Sequence, residues 1–230
     1  MKQFATQGII LTRTDFGEAD RILTFITPDH GKVRAIAKGV RKAGAKLAGA
    51  IELFSVSELT VVAGRGEINT LISARLARHY DDIVKDMERT NAAYEFLRIL
   101  NKVTEDKTEE VYFTLIDKAL AGLNYSEIAP ELVDLWFKVQ LLKITGHTPN
   151  LRMDGEAKKL SESKTYNFDF DKTRFSSSEN GDFNPRTIKF LRVGLAAESP
   201  KVLARVEGAD EFLPPLQPLV QTLLQKSLRV

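Results

Sequence analysis

The sequence contains no cysteine and one tryptophan, and no apolar run approaches the roughly 18 residues that a membrane span requires. Without cysteine, the chain cannot form a disulfide, a thiolate nucleophile or a cysteine-ligated zinc or iron–sulfur site. The first residues, MKQFATQ, also lack the apolar core of a secretion signal. We therefore expect a cytoplasmic protein.

Signatures of catalysis are also missing. The three histidines, at positions 30, 79 and 147, are too far apart in sequence to suggest a shared metal, and neither G-x-S-x-G nor H-E-x-x-H occurs. Residues 39–46, GVRKAGAK, resemble a phosphate-binding loop, but Ala45 separates the second glycine from Lys46, and Leu47 replaces the magnesium-binding Ser or Thr. We expect no enzymatic activity and no cofactor.

Positive charge is concentrated near the N-terminus of this 230-residue chain, although the net charge is only +2. Residues 1–80 carry 12 Lys/Arg against 7 Asp/Glu, whereas residues 81–230 carry 21 against 24. The segment 30–51 has six Lys/Arg and no acidic residue. Such a local field attracts polyanions, and a solvated surface loop is the alternative interpretation.

Hydrophobic periodicity divides the chain into two parts. Up to about residue 78 the pattern has period two, which predicts strands at 8–13, 20–27, 32–37, 53–62 and 68–75. Five short strands favour a closed barrel of the OB type, because closure removes exposed edges. The expected fold class is α+β, with an OB-fold domain at 1–78 and a mainly α-helical domain at 79–230.

The second part has helical periodicity. Apolar stripes run from Tyr80 to Leu97, from Val111 to Leu123 and from Leu216 to Leu228, and Asn184-Pro185 and Ser199-Pro200 are typical of helix starts. A helix from Pro130 to Gly146 is apolar around most of its circumference, so we expect it to be central, with Trp136 in the core.

The segment 150–183 interrupts the helical pattern. It is rich in serine, yet Tyr166 to Asp171 alternates aromatic and polar residues, and Phe175 and Phe183 follow. This pattern predicts a small inserted β-hairpin with Tyr166, Phe168 and Phe170 on one face.

A family resemblance rests on the N-terminal third. Residues 8–23, GIILTRTDFGEADRIL, residues 27–41, TPDHGKVRAIAKGVR, and residues 47–50, LAGA, are similar to the opening of the RecO family of recombination mediators. The similarity is specific over about residues 7–75 and looser through the helices, where residues 141–149, LLKITGHTP, resemble a helix end of the family.

The resemblance implies an N-terminal OB domain that binds DNA, at 1–78, a helical domain and a role in recombinational DNA repair. RecO proteins bind single- and double-stranded DNA, anneal complementary strands and help load RecA on DNA coated with the single-strand binding protein SSB. They also pair with RecR and engage the C-terminal tail of SSB. Many members carry two Cys-x-x-Cys pairs that form a zinc module, but the matching region of this chain, 150–183, has no cysteine. We interpret that region as a metal-free remnant of the module.

The candidate DNA-binding residues follow from the basic segment. Lys32, Arg34 and Lys38 recur at every second or fourth position, so they share one face of a strand. The cations of the following loop extend this positive charge. We interpret Phe16, Phe25 and Phe54, the main aromatic residues of the barrel, as core or cap residues. Few rings then remain to stack on bases, so we expect phosphate contacts to dominate DNA binding. The complete predicted set is Arg13, Lys32, Arg34, Lys38, Arg41, Lys42, Lys46 and Arg65.

Two other functions compete with that of a DNA repair mediator. An RNA- or ribosome-binding OB protein would use the same basic face. A nuclease or a nucleotide-dependent ligase is disfavoured, because this sequence lacks an acidic metal cluster and a phosphate-binding loop. For partner peptides, the acidic SSB tail with its hydrophobic end would need an apolar pocket with a cationic rim. Lys138 and Lys143, which border the central helix, are the candidate rim residues, with solvated charges as the alternative.

Metal content provides a first prediction. We expect the purified protein to hold no stoichiometric zinc and to remain folded in a chelator, because scattered histidines and carboxylates make a poor structural zinc site. Elemental analysis together with circular dichroism before and after chelation measures this. One zinc per chain, with loss of fold on its removal, would contradict the prediction.

Overall fold

A computed structural model describes residues 2–64, 66–153, 161 and 163–228. The chain forms two compact units, comprising residues 1–125 and 126–230. Within the described ranges, no helix is long and apolar enough to cross a membrane.

The first unit is built on a closed five-stranded barrel with the ring order β1-β2-β3-β5-β4. Neighbouring strands are antiparallel except for β3 and β5, which pair in parallel from Ala35–Asn69 to Ala37–Leu71. This topology confirms the predicted OB-type barrel. The strands are β1 (Gln3–Phe16), β2 (Asp20–Ile26), β3 (Lys32–Ala37), β4 (Ser55–Val62) and β5 (Asn69–His79).

Alternation along each strand fills the barrel interior. In β3, Val33, Ala35 and Ala37 are buried, while Lys32, Arg34 and Ile36 lie on the outer face. Space inside is tight, because a Cβ on Gly8 would lie 2.5 Å from Leu59 Cδ1. The interior cluster contains Ile10, Leu23, Phe25, Val33, Ala35, Ala37, Val40, Ile51, Leu59, Val61 and Leu71.

Two helices, α1 (Met87–Val103) and α2 (Glu110–Leu123), pack against β1 within the same unit. The predicted continuous stripe from Tyr80 to Leu97 was wrong, because Asp86 has an extended backbone and caps α1 by accepting from Arg89 N. Val84 and Met87 are consequently 60% and 79% exposed. The last barrel strand ends at His79, and helices follow it. The two compact units divide later, between residues 125 and 126. The predicted domain boundary at 78/79 stays a prediction.

The second unit is arranged around α3 (Pro130–Ile144), which packs against three other helices. Trp136 is buried and its Nε1 donates to Ala197 O at 3.0 Å, which confirms it as a core residue. The Asn184 side chain caps the second helix of this unit by accepting from Thr187 N at 2.9 Å. The remaining helices are α4 (Pro185–Ala196), α5 (Pro200–Ala204) and α6 (Leu213–Leu228).

The predicted aromatic hairpin forms from β6 (Thr165–Asp169) and β7 (Arg174–Ser178). Tyr166 and Phe175 are almost fully buried, and Phe168 lies 4.9 Å from Phe175 between ring centroids. Phe170 lies in the turn, where it still contacts Phe168 at 5.0 Å. Residues 154–160 and 162 of the proposed remnant lie outside the described part of the chain.

The packing of these rings predicts a large stability difference between two hairpin variants. Phe175→Ala should lower the free energy of unfolding by about 3–5 kcal/mol, because a fully buried ring would leave a cavity. Asp169→Asn should cost little, because an amide oxygen can still accept from Asp171 N and Lys172 N.

Urea unfolding and hydrogen exchange at residues 165–169 measure this difference. Exposed Ser177→Ala serves as the control for substitution within the hairpin. A Phe175→Ala variant as stable as this control, with unchanged exchange, would show that the rings do not hold the hairpin.

Candidate nucleic-acid interface

The basic segment 38–47 is fixed to one end of the barrel. Its Val40 side chain is 4% exposed and belongs to the interior cluster. Gly39 N donates to Asp20 Oδ1 at 2.7 Å, and Arg41 N donates to Ala19 O at 2.9 Å. These contacts connect the segment to the β1–β2 turn, so it is a built surface rather than a loosely solvated loop.

Two turns shape the segment after this anchor. Lys42 N donates to Gly39 O and Ala45 N donates to Lys42 O, both at 3.1 Å. Gly39 and Gly44 have φ of +68° and +73°, a region that glycine adopts without a Cβ penalty. The lysines are therefore presented from closely wound backbone, at intervals of four residues.

Three lysines of this segment carry uncompensated charge. Lys38, Lys42 and Lys46 are exposed, and their ammonium groups have no hydrogen-bond or ion-pair partner among the described residues. An exposed ammonium on an ordered scaffold can contact a phosphate without first breaking an internal ion pair. We call Lys38, Lys42 and Lys46 the lysine triad.

The neighbouring arginines are engaged with acids or carbonyls. Arg41 Nε lies 3.4 Å from Asp15 Oδ2 and its Nη1 donates to Gly17 O at 3.3 Å, so this side chain also fastens the segment to the β1–β2 turn. The hydrogen bond from Arg21 lowers the pKa of the Asp15 carboxyl. Asp15 thus stays ionised and pairs with both Arg21 and Arg41. Arg13 Nη1 lies 2.8 Å from Glu52 Oε2.

The remaining predicted cations have separate roles or positions. Lys32 Nζ donates to Asn101 O at 3.0 Å and to Thr104 O, at the C-terminal end of α1, and burial lowers the pKa of this lysine. Arg34 is nearly half exposed and lies 3.8 Å from Glu67 Oε2. Arg65 lies outside the described residues. Arg34 and Lys38 are thus both exposed, while the charge of Lys32 is occupied by a helix end.

The strand register defines a continuous outer face across β1, β2 and β3. Thr12 pairs with Thr24, which pairs with Arg34. In the adjacent row on the same face, nearer the β1–β2 turn, Ile22 pairs with Ile36. These residues alternate with buried neighbours such as Leu23 and Ala35 and therefore point away from the interior. This face is bordered by the lysine triad at one end.

The interpretation of Phe16 as a core or cap residue was wrong, since its side chain is 51% exposed, while Phe25 and Phe54 are buried. Strict alternation from Ile10 would direct Phe16 inward. The pairing register shifts between Ile10 and Thr12, so the residues after this bulge exchange faces. No sequence signal marks the bulge, because Leu11 is as apolar as its neighbours.

The two candidate peptide-binding lysines make contacts within the second unit. Lys138 Nζ lies 2.7 Å from Asp134 Oδ2, and Lys143 Nζ donates to Leu195 O at 2.9 Å near the end of α4. Lys143 also borders a groove of about 580 Å³. Its lining, which sequence analysis missed, combines cationic and apolar side chains of Lys143, Pro149, Leu151, Arg152, Arg192 and Leu195.

One partly buried polar cluster of the first unit is structural. Tyr80 OH donates to Asp117 Oδ1 at 2.5 Å, and Arg78 Nη2 donates to the same carboxylate at 3.1 and 3.2 Å. Burial, with this hydrogen bond, raises the pKa of Tyr80 well above its ordinary value. Within the described ranges, no group of three His, Asp or Glu side chains could hold a metal ion.

Comparison with known proteins adds evidence from sequence. Residues 1–80 match the family described as "Recombination protein O N terminal". The chain is similar to the DNA repair protein RecO of Dehalococcoides mccartyi, with 33% identity over 65% of this chain and 58% of that protein. It is also similar to the RecO proteins of Bifidobacterium adolescentis, with 32% identity over 66% and 63%, and of Roseiflexus sp., with 34% over 64% and 52%. The chain thus covers less than two thirds of the length of these relatives.

The anchoring of the basic segment can be tested at Asp20. Asp20→Ala should increase amide hydrogen exchange at residues 39–46 and lower the free energy of unfolding by about 1–2 kcal/mol, because Gly39 N loses its acceptor. Asp20→Asn retains an acceptor oxygen and is the matched control. Hydrogen exchange followed by mass spectrometry measures the difference, and identical exchange in both variants would contradict the anchoring role.

Proposed function

We propose that this chain is a member of the RecO family of DNA repair proteins and acts in recombinational DNA repair in the cytoplasm, as a DNA-binding mediator without enzymatic turnover. The family match over residues 1–80 and the similarity to RecO proteins support this proposal. The observation that carries the proposal is the lysine triad, which is exposed, unpaired among the described residues and fixed to the barrel end. A scaffolded cationic surface of this kind suits a polyanionic ligand.

Binding is independent of base sequence on this proposal. Ammonium groups contact phosphates as point charges, and phosphates are the same at every position of single- and double-stranded DNA. Lys38, Lys42 and Lys46 provide the main contacts, and Arg34 extends them along the outer face. Arg13 and Lys32 contribute less, because Glu52 and the end of α1 already occupy their charges.

The same surface supports annealing of complementary strands. Two strands approach each other against phosphate repulsion, and a protein that neutralises several phosphates lowers that barrier. We extend the proposal to the family's action on SSB-coated DNA, where annealing and RecA loading require access to strands that SSB covers. RecR and the SSB C-terminal tail are the proposed direct partners, with RecA acting downstream.

The groove beside Lys143 is the proposed site for the SSB tail. Its apolar side chains suit the hydrophobic end of that tail, and Lys143, Arg152 and Arg192 suit its acidic residues. Arg192 Nε donates to Leu151 O at 2.7 Å, which holds one side of the groove in place. Lys138 is paired with Asp134 and contributes less.

Substitution of the lysine triad tests the DNA-binding surface. The variant with Lys38, Lys42 and Lys46 changed to Ala should bind all single-stranded sequences more weakly. Its slope of log affinity against log salt should be smaller by about 2, because three phosphate contacts are lost. The melting temperature should stay nearly unchanged, since these side chains are exposed. Fluorescence anisotropy between 50 and 200 mM salt measures both quantities.

A matched variant with Lys102, Lys107 and Lys172 changed to Ala removes the same charge from exposed positions elsewhere. Equal weakening by both variants would indicate a diffuse charge effect and would contradict the assigned surface. A preference for RNA over DNA of equal length would favour the RNA-binding alternative. Annealing of SSB-coated complementary strands, measured with both variants, then tests the mediator role.

A further inference from the structure

An exposed aromatic ring lies at the tip of the β1–β2 hairpin. Phe16 is 51% exposed and pairs with Asp20 across the turn 17–19. The polypeptide gains little by leaving such a large apolar side chain in water, and a flat ring at a hairpin tip is accessible from several directions. The position therefore suggests a contact with a ligand.

The ring and the lysine triad lie at the same end of the barrel. Three hydrogen bonds join the hairpin tip to the basic segment, from Gly39 N to Asp20 Oδ1, from Arg41 N to Ala19 O and from Arg41 Nη1 to Gly17 O. Lys38 directly precedes Gly39, and Lys42 directly follows Arg41. A ligand that contacts these lysines with its phosphates is thus held beside the hairpin tip.

The register continues this surface beyond Phe16. Because Phe16 and Thr12 both follow the bulge and lie four residues apart, they share the outer face that also contains Thr24 and Arg34. OB folds bind oligonucleotides on the face of strands 2 and 3 and at the loops that join strands 1–2 and 4–5. Phe16 borders the first of these loops.

We propose that Phe16 is a stacking residue for an unpaired base of single-stranded nucleic acid held by the lysine triad. This inference rests on the proposed function. A base in a duplex already stacks on its neighbours, so the ring can contribute to binding only where bases are free. The lysines contact either form of DNA, and Phe16 supplies the preference for single strands.

Charge at the tip supports a base rather than a phosphate as the partner of the ring. Glu18 is exposed in the same turn, and its carboxylate repels phosphates. Asp15 is engaged with Arg21 and Arg41 and is therefore balanced. The backbone of the strand is attracted to Lys38 and Lys42, while its bases meet the ring.

Affinity of the full chain for oligo(dT) and for a duplex of equal length tests the proposal. Phe16→Ala should weaken oligo(dT) binding by about tenfold, the effect of losing one stacked base. Duplex affinity and the salt slope for both ligands should stay at the wild-type values, because no phosphate contact is removed. Ile72→Ala, at another exposed apolar position of the barrel, should leave both affinities unchanged.

Two further variants separate stacking from apolar contact. Phe16→Trp should retain oligo(dT) affinity and show fluorescence quenching on binding, whereas Phe16→Leu should be as weak as Phe16→Ala. Wild-type affinity in Phe16→Ala, or equal losses for oligo(dT) and duplex, would overturn the stacking role and leave the lysine surface standing. Failure of the wild-type protein to bind any DNA would overturn the proposed function itself.

Discussion

Closure of the barrel is the constraint on which the candidate interface depends. The parallel pairing of β3 with β5 and the antiparallel pairing of β1 with β4 close the ring of five strands. The chain that leaves β3 must therefore cross the end of the barrel to reach β4. Val40 enters the interior on this path, and Asp20 holds the adjacent backbone. Burial of Val40 and the hydrogen bonds of Gly39 N and Arg41 N thus hold in place the backbone from which the lysines extend.

The cations of this unit differ in what their charge does. Arg13, Arg41 and Lys32 are bound by Glu52, Asp15 and the end of α1, and they help hold the barrel, the basic segment and the first helix in place. The lysine triad makes no such contact in the described part of the chain and is available to a ligand. The number of positive residues in the sequence does not distinguish the engaged cations from the lysine triad. The two groups differ only in whether residues distant in sequence bind their charged groups.

In the second unit, the hairpin of β6 and β7 depends on packed rings. Phe170, Phe168, Phe175 and Phe183 form a chain of edge-to-face contacts with centroid distances between 4.9 and 5.3 Å. Tyr166 OH adds a polar connection by accepting from Ser161 N at 2.7 Å. Aromatic burial of this extent can order a small hairpin without a metal ion, since each ring removes a large apolar area from water.

Much of the architecture follows from the sequence alone. Alternation of apolar residues predicts all five barrel strands, because one face of each strand must be buried, and Pro130, Asn184-Pro185 and Ser199-Pro200 mark three helix starts. The sequence also shows directly that the basic segment contains no acidic residue. Only the tertiary structure decided that Phe16 faces outward, because a single bulge near Leu11 reverses the alternation without changing the composition of the strand. The partners of Arg13, Arg41 and Lys32 were likewise decided by folding, which brings together groups that lie 26 to 72 positions apart.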